Sequence, residues 1–313
     1  MIAVLLSGAA ALAALALLAV LAHVAYAAFV RRRFPPPGSR VAFGGGELRV
    51  LERGRGPAVL LVHGMNGTAH DFPDELIGDL ARDHTVLAMN RPGHGGSPRG
   101  EGALDLDLNA RAALAVIASR GGRAVVVGHS YGGAVALRAA ELSPGRVAGL
   151  VLVTPCTVVD ERNRRHAELP VPPGFARRLA LWVGTVPVGL AFTRRTRREA
   201  WHPAPPPAGF PFSRAWALVP AQLEAALENF HTLPWDLATL AAELPRLGTP
   251  LVVLAGEDDV ITPWRAHAAW LPNAVPGARL EVLPGTGHWL MRQRPDAVAA
   301  AVRAMAVEGA ARA

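Results

Sequence analysis

Apolar and polar positions divide the chain into three unlike regions. From Ile2 to Val30 no charged residue occurs, and only Ser7, His23 and Tyr26 interrupt an apolar run. At about 1.5 Å per residue, a helix of that length exceeds the roughly 30 Å of a bilayer core. Arg31-Arg32-Arg33 follow at once. Residues 1–30 are therefore expected to form a single-pass membrane anchor, with the rest of the chain on the cytoplasmic side. A cleaved signal peptide is the competing expectation. Ala25-Tyr26-Ala27 offers a small-residue cleavage site, but a positive n-region and a short apolar stretch are both missing. The proline-rich run Phe34 to Ser39 predicts a stiff linker within residues 31–40.

A second pattern begins near Val41. Glu47 to Glu52 alternates polar and apolar, as a half-exposed strand does, and forms a predicted hairpin with Val41-Ala42-Phe43. Beyond it come short continuous apolar runs: Ala58–Val62, Thr85–Met89, Ala124–Val127, Gly149–Val153 and Leu251–Ala255, with a last strand at Arg279–Leu283. Between them lie stretches with helical spacing, at Asp71–Asp83, Leu104–Ser119, Gly133–Ala140 and Pro295–Val307. Strands that are apolar throughout, alternating with helices, predict a mostly parallel α/β sheet with helices on both faces. The core is expected over residues 41–160 and 241–313.

The third pattern fills residues 161–240. Prolines cluster at 170–173 and 203–207, helical stretches appear near 176–192 and 213–230, and Trp182, Trp201, Trp216 and Trp235 all fall here. So do Arg162, Arg164, Arg165, Arg177, Arg178, Arg194, Arg195, Arg197 and Arg198. They form either a solvated face or a surface for anionic headgroups.

Composition narrows the possibilities. The formal net charge is +7, and arginine supplies all the cations. These arginines do not alternate with aromatic residues, and no nucleic-acid-binding motif appears, so no nucleic acid is expected as a partner. One cysteine, Cys156, excludes an internal disulfide. There is no H-E-x-x-H, no cysteine pair and no P-loop, so neither a metal nor another cofactor is expected.

The chemistry centres on Gly128-His129-Ser130-Tyr131-Gly132, which follows an apolar strand and precedes a helix. This is the context a G-x-S-x-G nucleophile elbow requires. With His63-Gly64 after one strand, Arg91-Pro92-Gly93-His94-Gly95-Gly96-Ser97 after the next, Gly256-Glu257-Asp258-Asp259 and Gly287-His288, the chain resembles the α/β-hydrolase superfamily. The resemblance implies a Ser–acid–His order, here Ser130, Asp259 and His288, with Asp258 the competing acid. It implies oxyanion donors at the amides of Met65 and Tyr131, a structural role for His63, and a helical cap inserted over the site at 161–240. It also implies serine hydrolysis of a carboxylic ester or related acyl bond through an acyl-enzyme. The tryptophan- and leucine-rich insertion favours an apolar or lipid-like small-molecule ester. Alternatives within the fold are C–C bond hydrolysis, cleavage after proline and perhydrolysis, or a non-catalytic membrane-surface binding protein that uses the same fold. Serine at position 130 excludes an aspartate nucleophile. Asn90 stands where many relatives carry aspartate, a position expected to support loop structure.

Overall fold

The computed structural model describes residues 2–168, 181, 194–207 and 212–311. Eight strands form one sheet: β1 (Ser39–Phe43), β2 (Gly46–Arg53), β3 (Ala58–Val62), β4 (Thr85–Met89), β5 (Ala124–His129), β6 (Val147–Val153), β7 (Leu251–Gly256) and β8 (Arg279–Leu283). Their spatial order is β1-β2-β4-β3-β5-β6-β7-β8. The hairpin strand β2 pairs antiparallel with β1 and β4. From β4 to β8 every pairing is parallel. The expected α/β-hydrolase architecture is therefore present.

The continuous apolar runs are explained by burial on both faces. Leu60, Val62, Val126, Leu150 and Leu152 point to one side. There they meet α3 (Leu106–Ala118) and α4 (Tyr131–Leu142). Val59, Leu61, Val125, Val127, Val151 and Val153 point to the other. There they meet α2 (Asp74–Leu80) and the closing helix, Pro295–Ala311. Alternate residues of a strand face opposite ways, so only uninterrupted apolar sequence can serve both layers.

Element boundaries moved where proline intervened. A helix starting at Asp71 is blocked because Phe72, preceding Pro73, is held extended (φ −76°, ψ 127°). A short 3-10 turn, Ala69–Asp71, stands there instead. The closing helix is longer than its expected end at Val307.

Between β6 and β7 lie α5 (Glu161–Ala167), a helix at 194–201 (α6), α7 (Phe212–Ala217) and α8 (Pro220–Glu243). The helix expected to end at Phe230 continues to Glu243 through Pro234. Leu233, Leu237 and Leu240 are buried along it, and that packing outweighs the lost backbone bond. The prolines at 170–173, the helix expected at 176–192, and Trp182, Arg177 and Arg178 lie outside the described residues. Of the other arginines, Arg162 and Arg195 pair with Glu199, and Arg164 and Arg165 with Glu161.

The N-terminal helix α1 runs Ile2–Arg33, so the three arginines continue the helix and the extended link is residues 34–38. One stretch of it, Ala13–Arg33, is long and apolar enough to cross a membrane. Its final turns rest on the insertion. His23, Ala27 and Val30, spaced along one face, are buried. Ala27 and Val30 pack with Ala215, Trp216 and Val219. The Tyr26 hydroxyl donates to the Ala215 carbonyl (2.9 Å), and Trp216 Nε1 donates to the Phe34 carbonyl (3.1 Å). Replacing a large buried aromatic by alanine costs about 3–5 kcal/mol. Trp216→Ala should therefore loosen this foot, and trypsin should cut after Arg31–Arg33 about tenfold faster or more in detergent-held protein. Unchanged cleavage would contradict the docking.

Candidate active site

Ser130 occupies the turn from β5 to α4 with φ 53° and ψ −121°, a conformation non-glycine residues rarely adopt. Its amide donates to the Val153 carbonyl (3.0 Å), and its carbonyl accepts from the amides of Gly133 (2.9 Å) and Cys156 (3.0 Å). The turn is also wedged from outside. A Cβ on Gly132 would strike the Val62 carbonyl oxygen, so only glycine permits α4 to start against the end of β3. A Cβ on Gly64 would stand 3.0 Å from Ser130 Cβ, so the His63-Gly64 turn lies directly against the serine.

Asp259 and His288 come from the loops after β7 and β8. His288 Nδ1 donates to Asp259 Oδ2 at 2.8 Å, and both residues are buried. The other carboxylate contacts come from the amides of Ile261 (2.7 Å) and Thr262 (3.0 Å) and from the Thr262 hydroxyl (2.8 Å). Burial pushes the Asp259 carboxyl up, but the charge and hydrogen bond of His288 and the Thr262 bonds outweigh it and hold the group at about 2. Asp258 is half-buried and its amide donates to the Thr286 carbonyl; it is Asp259 that meets the imidazole. The His288 carbonyl accepts from Thr154 Oγ1 (2.9 Å) and His129 Nε2 (3.0 Å), so the residue before Ser130 and the one after Val153 both fasten the His288 loop. The His129 and His288 rings lie 4.9 Å apart. Among the described residues, Ser130 Oγ and the His288 ring make no hydrogen bond to each other. In unliganded sites such bonds are often long and tighten when substrate binds.

The Met65 and Tyr131 amides have no acceptor among the described residues. Tyr131 buries its ring under Arg91, whose guanidinium carbon lies 4.8 Å from the ring centre. Its side chain thus packs rather than lining an opening. His63 is structural, as expected: Nδ1 donates to the Gly64 carbonyl (2.9 Å) and Nε2 accepts from the Arg91 amide (3.1 Å). Asn90 ties two loops, accepting from the Ala69 amide (2.7 Å) and donating to the Gly95 carbonyl (2.8 Å). Cys156 is buried and its thiol is pushed up to about 12, chiefly by that burial. Among the described residues no cluster of His, Cys, Asp and Glu could hold a metal ion.

This geometry and the sheet order define the class, and comparison with known proteins agrees. The chain belongs to the alpha/beta hydrolase family, whose model matches residues 59–301. It is 32% identical to a pimeloyl-[acyl-carrier protein] methyl ester esterase of Nitrosomonas europaea, over 77% of this chain and 92% of that protein. It is also 32% identical to polyketide synthase ThaQ of Burkholderia thailandensis, over 83% of this chain but 12% of that much longer protein. A crystal structure of a bacterial membrane phospholipase A, a virulence factor, superposes with a TM-score of 0.66 at 19% identity, covering 98% of this chain and 97% of that one.

The buried histidines set a pH dependence. Burial, more than the neighbouring charges, holds His129 at about 3 and puts His63 and His94 well below the usual range. Below about pH 6.5 the unfolded chain binds protons that these folded imidazoles refuse, so stability falls on acidification. Asp259 acts in the same direction, since its contribution is present above about pH 4 and lost towards about pH 2. Unfolding free energies from urea titrations between about pH 7 and about pH 4 should fall with a slope of up to about 4 kcal/mol per pH unit, the limit for three protons. A flat profile would contradict the neutral, buried state of these rings.

Proposed function

We propose that the protein is a serine hydrolase that cleaves carboxylic esters with an apolar acyl group. The observation that carries this reading is the ordered arrangement of Asp259, His288 and a strained Ser130 beside two unpartnered amides. Ser130 Oγ attacks the ester carbonyl carbon while His288 Nε2 takes its proton. Asp259 holds the Nδ1–H tautomer and stabilises the imidazolium. The carbonyl oxygen becomes an oxyanion received by the Met65 and Tyr131 amides. Collapse expels the alcohol, which takes the proton from the imidazolium, and leaves an acyl-enzyme. A water deprotonated by His288 then releases the acid and restores the serine.

The esterase of Nitrosomonas europaea supports an ester, and the membrane phospholipase A structure supports lipid-like acyl groups near a bilayer. In this reading α1 is a retained anchor, the hydrolase domain lies on the cytoplasmic side, and residues 161–240 are a cap over the site.

Three measurements test it. Ser130→Ala should lower kcat/KM on p-nitrophenyl esters by about 10⁴-fold or more and abolish labelling by a fluorophosphonate. Medium or long acyl chains should be preferred to acetate, and a proline amide or a C–C ring-fission substrate should be poor; the reverse preference would overturn the ester assignment. The full chain should resist carbonate extraction from membranes, whereas release into the wash would refute the anchor.

A further inference from the structure

Arg91 is a fully buried cation; Asp71 favours its charge from a distance, but the hydrogen bonds of its side chain go to uncharged groups. Its donors are spent on neutral acceptors. Nε donates to the His63 carbonyl (3.2 Å) and Nη2 to the Gly64 carbonyl (3.0 Å). Nη1 donates to Asn109 Oδ1 (2.8 Å) and Asn229 Oδ1 (2.9 Å). Its plane covers the Tyr131 ring. Desolvation lowers the guanidinium only to about 10, so it keeps its charge at neutral pH. A buried ionic group is seldom the most stabilising choice for a core position, where apolar residues of similar volume often serve as well or better. Its retention calls for a role other than stability.

The peptide between Gly64 and Met65 is planar and trans, so its C=O and N–H point opposite ways. The Gly64 carbonyl is drawn to the buried side by Arg91 Nη2 and His63 Nδ1. The Met65 N–H is thereby turned away from the guanidinium, on a turn packed directly against Ser130. The same cation seats the ring of Tyr131, whose amide is the other unpartnered donor. Nη2 also meets His94 Nε2 (3.5 Å), and of these partners Asn229 belongs to α8 of the insertion, where its Nδ2 also donates to the Leu104 carbonyl.

We propose that Arg91 is a positioning residue that aims both oxyanion donors, and that Asn229 makes this aim depend on the seating of α8. The inference rests on the serine-hydrolase reading above. Held this way, the donors fit the tetrahedral oxyanion rather than the flat ester, so losing the grip lowers kcat and leaves KM nearly unchanged.

The test compares Arg91→Lys, Arg91→Met and Asn229→Leu with the wild-type full chain in detergent, using a p-nitrophenyl ester and an alkyl boronic acid that forms a tetrahedral serine adduct. Removing one oxyanion donor elsewhere costs about 10²–10³ in kcat, so the Arg91 variants should lose about 10²-fold, with boronate affinity falling in parallel and KM within about twofold. Asn229→Leu, which leaves Asn109 in place, should lose about tenfold in both. If the Arg91 variants do not fold, Asn229→Leu decides alone. Wild-type kcat and boronate affinity in a folded variant, or a raised KM with unchanged kcat, would overturn the proposal. Activity surviving Ser130→Ala would instead overturn the hydrolase reading itself, so the two failures are distinguishable.

Discussion

No side chain stands between the end of β3 and the start of α4, and the site depends on that gap. Gly132 sits against the Val62 carbonyl, and Gly64 sits against Ser130 Cβ. Any larger residue would separate the strand from the helix. The close approach sets the serine beside the very turn whose amide is left without an acceptor. It also keeps the strained conformation of Ser130 in place, since its carbonyl and amide are both held by neighbouring backbone. Strain of roughly 1–3 kcal/mol at one residue persists only where its surroundings overdetermine it.

Much of this was legible in the sequence. The two-sided burial of β3, β5 and β6 follows from their uninterrupted apolar runs, and the elbow follows from glycines flanking a serine between strand and helix. Asp259 and His288 follow from the family resemblance, with Asp258 left as a competitor; the contact that singles out Asp259 is visible only in the structure. What could not be read was pairing across long separations. Arg91 stands 138 positions from Asn229, and no local periodicity announces their bond. The only hint was an arginine set directly after an apolar strand, where a solvated charge is out of place. The continuation of α8 through Pro234 was equally hidden, because tertiary packing of its leucines overrides a local helix breaker.

The insertion is tied to both functional loops. On one side the Trp289 amide donates to the Ala200 carbonyl (3.0 Å) and Trp201 packs edge-on against Trp289, next to His288. On the other, Asn66 Nδ2 donates to the Ala217 carbonyl (3.2 Å), and Gln222 Nε2 donates to the carbonyls of Asn66 (3.2 Å) and Gly67 (3.3 Å), next to Met65. Movement of the insertion would therefore disturb the His288 loop and the turn at Met65 together. His267 strengthens the root of this segment: its ring meets Asp160, whose other oxygen accepts the Asn163 amide at the start of α5.

The foot of α1 has a consequence for how the enzyme sits. Residues 2–22 precede the docked turns and extend about 31 Å, close to the thickness of a hydrocarbon core. The last three turns rest on α7, so the helix meets the domain as a fixed strut and not as a loose tether. Whatever takes up residues 2–22 therefore fixes the height and tilt of the domain, as a rigid bracket fixes a lamp.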